Sequence, residues 1–169
     1  MSRSRVAIAL LAIIASLVIQ TTVFGASGIA PLGVPPAFVT LVVIALGPYV
    51  EAEYHLLLGF TAGILADLMG SGTLGLWAMS LTVVAYASSR LRARFNEGIV
   101  LSATLVFGLT LLGQVVFVVL GTLFGQNLLS DSSLAAKIFL PALWNLVLAI
   151  PVLLVLEAVF KQRDEGWAV

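Results

Sequence analysis

Asp67 is the residue most able to do chemistry, because it is an acidic side chain within an otherwise apolar stretch. A carboxylate at the centre of a membrane helix costs roughly 2.5–3.5 kcal/mol on insertion scales and less near a helix end, so it requires a reason. It could line a cavity or hold a ligand. It could also cap the Gly70–Gly75 turn or bond to neighbouring helices, and its position three residues before Gly70 favours this second role. Gln114 and Asn145 are amides set midway along two further apolar runs. Polar contacts between membrane helices average only about 0.6 kcal/mol, so such residues specify packing more often than reactions. Asn145 lies between Pro141 and Pro151, where it is expected to satisfy a carbonyl freed by a proline. Glu157 is close enough to its segment's end to reach water.

Other constellations are weaker. Gly59 and Gly63, with Ala62 and Ala66 beside them, form a small-xxx-small face that lets helix backbones approach closely. Packing within the chain is the first expectation for this face, and a partner interface the second. The glycine-rich Gly70–Gly75 stretch lacks the Lys-Ser/Thr of a phosphate loop and reads as a tight turn. Arg90, Arg92 and Arg94 make a basic stretch suited to fixing topology, to anchoring on anionic lipid, or to meeting a cytoplasmic partner. There is no cysteine, and the lone histidine, His55, cannot build a metal site. No carboxylate pair and no Ser/His/Asp set can be assembled, so neither enzyme activity nor a cofactor is expected.

The elements that position these residues follow from composition. Of the 169 residues, 61% are hydrophobic and 9% charged, against roughly 25% charged in a soluble domain. Eight basic and eight acidic residues cannot solvate a globule of this size, and a mean hydropathy of +1.16 makes lipid the expected solvent. The zero net charge offers nothing to a nucleic acid. Lipid admits only helices or closed barrels, and continuous apolar runs exclude the alternation of barrel strands. The expected fold is therefore an all-α polytopic membrane protein, one domain over 1–169, with six spans near 6–24, 37–50, 54–69, 74–89, 99–124 and 138–160. At about 20 residues per span, this length leaves no room for a soluble module. The second span is the weakest, since Pro48 interrupts it and it could be re-entrant.

The first run is longer than the apolar core of a signal peptide, and Phe24 stands where a cleavage site would need a small residue, so an uncleaved helix is expected. With both termini cytoplasmic, Arg3, Arg5, Arg90, Arg92, Arg94, Lys161 and Arg163 fall inside and only Lys137 outside. That distribution obeys the positive-inside rule. A non-spanning second segment would put the Arg90–Arg94 stretch opposite Arg3 and Arg5.

The stretch Glu51–Phe95, with Gly59-Phe60-x-x-Gly63-x-x-x-Asp67, then Leu74-Gly75, Ala78, Tyr86 and the arginine-rich end, resembles the rod shape-determining protein MreD family. Asn145 and Pro151 resemble that family's closing helix. The resemblance implies a multi-pass protein of the bacterial cytoplasmic membrane and a non-catalytic scaffold of cell elongation. It would bind the bitopic partner MreC and link the cytoplasmic filament MreB to the polymerase RodA and its penicillin-binding transpeptidase. A helix of MreC is expected to dock on the Gly59/Gly63 face. The chain also looks similar in fold to the S components of energy-coupling-factor vitamin transporters, which supplies an alternative function. The matching Ala-x-x-x-Ala face is represented only by Ala12-x-x-x-Ser16. A lipid-flipping or small-molecule carrier is a third class.

Overall fold

The computed structural model describes residues 3–25, 29–70 and 72–165. Among the described residues there are six α-helices: α1 (Arg3–Thr22), α2 (Phe38–Ala45), α3 (Ala52–Met69), α4 (Leu76–Arg90), α5 (Ile99–Leu123) and α6 (Leu134–Glu165). Short 3-10 turns join some of them, and no strand occurs among the described residues. Among those residues α1, α5 and α6 are long and apolar enough to cross a membrane. Their outward faces carry Leu11, Val18, Val100, Val119, Phe139 and Val155, whereas Thr40, His55, Asp67, Thr110 and Asn145 are buried. Apolar outside and polar inside is the arrangement that a lipid solvent favours.

α2 departs furthest from expectation. The helix covers eight residues rather than 37–50, about 12 Å at 1.5 Å per residue. Pro35 and Pro36 hold the preceding backbone extended, so Val34–Ala37 form no helix. At the other end the Gly47 N–H bonds Ile44 O, and Pro48 has no N–H with which to continue. Every residue from Val39 to Ala45 is buried, and α2 touches each of the other five helices. Five of its eight residues are Val, Ile or Thr, poor helix formers in water. Surrounded by apolar walls, this backbone has no alternative to bonding with itself.

The helix ends sort into two sets. At one end Phe24 packs on Phe38, Trp77 on Phe117, and Gln126 donates to Thr73. At the other, Tyr49 stacks on Phe160 with centroids 4.6 Å apart, His55 meets Ser89, and Ser102 donates to the Phe95 carbonyl. Successive helices therefore run alternately up and down. The non-helical Val34–Ala37 and α2 together carry the chain from the first end to the second. The remaining boundaries lie close to expectation, except that α6 runs longer at both ends, to Leu134 and Glu165. Pro141 and Pro151 sit inside it without ending it.

Candidate functional site

Two residues of α3 face the start of α4. Asp67 is buried, and its Oδ2 accepts the N–H groups of Gly75 at 2.8 Å and Ala78 at 3.1 Å. Its Oδ1 accepts the N–H of Trp77 at 3.1 Å. The first N–H groups of a helix have no partner within it and carry a partial positive charge. A side chain at the N-cap usually supplies the acceptor, but here the N-cap is Gly75, held at φ 100° where a Cβ would be strained. Asp67 supplies it from the preceding helix.

Gly63 lies one turn earlier on the same face. A Cβ there would stand 2.3 Å from Ala78 Cα and 2.4 Å from the Trp77 carbonyl oxygen. At Gly59 it would stand 2.7 Å from Ala85 Cβ and 2.8 Å from Leu81 O. Gly59, Gly63 and Asp67 thus form one stripe, and α4 fills it. The expected docking of a partner helix on Gly59 and Gly63 is corrected by this packing, because no room is left on that face. Ser16 of the Ala12/Ser16 pair is buried as well.

A layer of amides surrounds the entrance of the chain into α2. Gln20 Nε2 donates to Pro36 O at 2.9 Å, and Gln20 Oε1 accepts the Phe38 N–H at 2.6 Å. One side chain thereby clamps the non-helical backbone on both sides of Ala37. Asn145, fully buried, donates to Ala37 O at 2.9 Å and to Thr110 Oγ1 at 3.1 Å. Its bonds go to Ala37, the residue before α2, and to α5 rather than to a proline-freed carbonyl of α6, which corrects the expected role. Asn145 Oδ1 is buried and unpaired among the described residues. Gln114 lies one turn beyond Thr110, 9% exposed, and its side chain makes no hydrogen bond with any described residue.

This layer yields a prediction. Gln20→Leu strips the partners from Pro36 O and the Phe38 N–H, at about 1–3 kcal/mol for each buried group left unpaired. Asn145→Leu strips nothing, because Ala37 O still accepts the Leu41 N–H and Thr110 still donates to Val106 O. Thermal melts in mild detergent should show a marked drop for Gln20→Leu and a change within about 1 kcal/mol for Asn145→Leu. The reverse order would contradict the clamp.

The opposite end of α2 is closed by side chains too. His55 is fully buried, with Nε2 2.7 Å from Val43 O and Nδ1 2.8 Å from Ser89 Oγ. A carbonyl only accepts, so Nε2 carries a proton. Ser88 Oγ donates to Ile44 O at 3.0 Å. Carbonyls near the end of a short helix lack intrahelical donors; α3 supplies one to Val43 O, and α4 adds a second to Ile44 O, which also accepts the Gly47 N–H. Beyond this end Arg90, Arg92 and Arg94 are exposed. Arg90 donates from Nε to Tyr86 Oη and stands 5.1 Å from that ring's centre. Arg94 pairs with Glu97 at 3.5 Å in an exposed bridge, a type worth under about 1 kcal/mol. At the far end Lys137 is bonded to Asp131, and Lys137 and Ser133 hold the Asp131 carboxyl well below its usual range.

The structure thus gathers Gly59, Gly63, Asp67 and Gly75 at the α3–α4 contact. Asn145 bonds Thr110, four residues before Gln114 on α5, and the arginines lie at the other end. Sequence reasoning missed Gln20 and the structural place of His55. Each is a polar residue in an apolar run, and that was the signal available. Among the described residues no group of three His, Cys, Asp or Glu could hold a metal.

Searches among curated proteins and among solved structures return no match. The expected likeness to S components therefore has no counterpart among those structures, and no comparison supports the transporter alternative. The model of one family, rod shape-determining protein MreD, matches residues 2–159. That span runs from α1 to the last turns of α6 and includes the Asp67 corner, the amide layer and the arginine stretch. The chain belongs to the MreD family, and its role lies in the determination of rod shape.

Proposed function

We propose that the protein is a non-catalytic scaffold of the cell-elongation machinery, crossing the bacterial cytoplasmic membrane six times with both termini inside. It binds MreC and couples the MreB filament to peptidoglycan synthesis by RodA and its transpeptidase. The family match over residues 2–159 carries this reading. The alternating run of the helices and the arginines at one end support the topology. Buried polar groups engaged in holding helices together support a scaffold rather than a catalyst.

Depletion of the protein in its host tests the role. Rounded or swollen cells with disturbed wall insertion are the expected result, and rods of normal width would overturn it. The partner helix needs a face that the chain does not itself fill. Thr104 and Gly108 lie four apart on the exposed stripe of α5, and a Cβ at Gly108 would meet nothing within 4 Å. Close helix approach in membranes uses such small residues. Gly108→Leu should lower co-purification of MreC while leaving the melting temperature of the isolated protein unchanged. Undiminished capture would exclude this face.

A further inference from the structure

We propose that the cavity at the Asp67 end of the bundle binds a neutral amphiphile, whose carboxamide or hydroxyl head meets Gln114 and Thr40 and whose apolar body fills the rest. The cavity measures about 350 Å³. That is well above the 150 Å³ that holds a benzene and within the ~300–1,000 Å³ of small-molecule sites. A helix about 10–12 Å across is too large for it. Its apolar walls are Leu17 of α1, Ala66 of α3, Trp77 and Leu81 of α4 and Pro141 of α6.

The polar groups on the wall are unequal. The Gln20 amide is spent on Pro36 O and the Phe38 N–H, and the Thr21 hydroxyl on Leu17 O and Val18 O. The side chains of Gln114 and Thr40 make no hydrogen bond with any described residue, although the residues are 9% and 3% exposed. Both line this cavity, and the Thr40 methyl would stand 3.8 Å from a Cβ on Gly113, the residue before Gln114. The Gln114 amide opens into the cavity with no side-chain partner among the described residues, so a ligand there meets an unused donor and acceptor. The amide offers both a donor and an acceptor, and the hydroxyl offers either. A head group with both functions is the complement, as in a carboxamide or an alcohol.

Charge narrows the class further. Among the described residues lining this cavity none is charged, so an ionic head would enter without compensation. Gln114 lies nine residues from the end of α5, about 14 Å along the helix. A second cavity of about 510 Å³ shares Gln20, Thr21, Pro35 and Met69 with the first and is likewise uncharged. The head therefore sits deep, and an apolar chain can continue along the shared wall.

Trp77 lines the site and provides the readout. Trp144→Phe and Trp167→Phe leave it as the only indole in the full chain. In lipid nanodiscs this protein is titrated with 11-bromoundecanamide, whose bromine quenches indole fluorescence on contact, and with 1-bromoundecane. Saturable quenching by the amide, at least about tenfold tighter than by the alkane, is expected. Thr40→Val and Gln114→Leu should each erode that preference without changing the response to the alkane. The Thr40 variant keeps the side-chain shape, so it remains informative if the Gln114 variant does not fold. Equal, non-saturating quenching by both probes would mean partition into the bilayer only and would overturn the proposal. Full protection by propanamide, which has no chain, would overturn the amphiphile class.

Discussion

Gly63→Ala removes the folded protein, although it adds a single methyl group. The added Cβ would lie 2.3 Å from Ala78 Cα, 2.4 Å from Trp77 O and 2.5 Å from Ala78 N. All three atoms belong to the backbone of α4, so no side-chain rotation can relieve the contact. Overpacking of a core typically costs 1–3 kcal/mol where side chains can shift, and here whole helices must separate. The cost should exceed about 3 kcal/mol, a large part of the ~5–15 kcal/mol that holds a protein folded. Separation would also pull Asp67 away from the N–H groups of Gly75, Trp77 and Ala78. Gel filtration of a fluorescent fusion in mild detergent checks this, with Gly108→Ala as the control that stays monodisperse. A Gly63→Ala protein with wild-type elution and melting temperature would show that α3 and α4 are not packed as described.

Asp67→Ala is the second large effect. It leaves three N–H groups in the first turn of α4 without an acceptor, and hydrogen bonds to a charged group contribute about 1.5–3 kcal/mol each. The contributions are not additive, because the freed turn can fray and one end is near the surface. A loss on the order of 3–5 kcal/mol is expected. Asp67→Asn keeps one acceptor oxygen but turns an amide donor toward N–H donors, so it should fall between the two. The melting order is thus wild type, Asn, Ala. An Ala variant as stable as wild type would remove the capping role. An Ala variant that stays stable yet fails to maintain rod shape would assign the carboxylate to partner binding.

Much of the fold is written in hydropathy. Continuous apolar runs mark where lipid must be the solvent, and Gly25, Gly70 and Gly98 mark where runs stop. For that reason α3 and α5 fall within two residues of their expected limits. α2 was harder, because an apolar run of 14 residues does not say how much of it is helical. The neighbouring prolines decided that, through backbone geometry. The contacts themselves were not legible. Gly59 and Gly63 announce a close approach but not the element that approaches. Asn145 announces a need for partners, and its partners are 108 and 35 residues away in the chain. The free amide of Gln114 and the cavity beside it depend on six helices at once, which no local pattern encodes.

The shortness of α2 bears on how the protein is made. Insertion into a bilayer is decided segment by segment, on runs of about 20 apolar residues, and an eight-residue helix behind two prolines does not qualify alone. Its bonding groups are closed by Gln20 from before it and by His55 and Ser88 from after it. In the six-crossing topology proposed above, a nascent chain that has produced α1 and α2 but not α3 and α4 would hold its second crossing unsettled. Under that proposal the orientation of everything downstream would be committed only when the arginines after α4 emerge. The centre of the finished bundle is thus the last part of its first half to find its place.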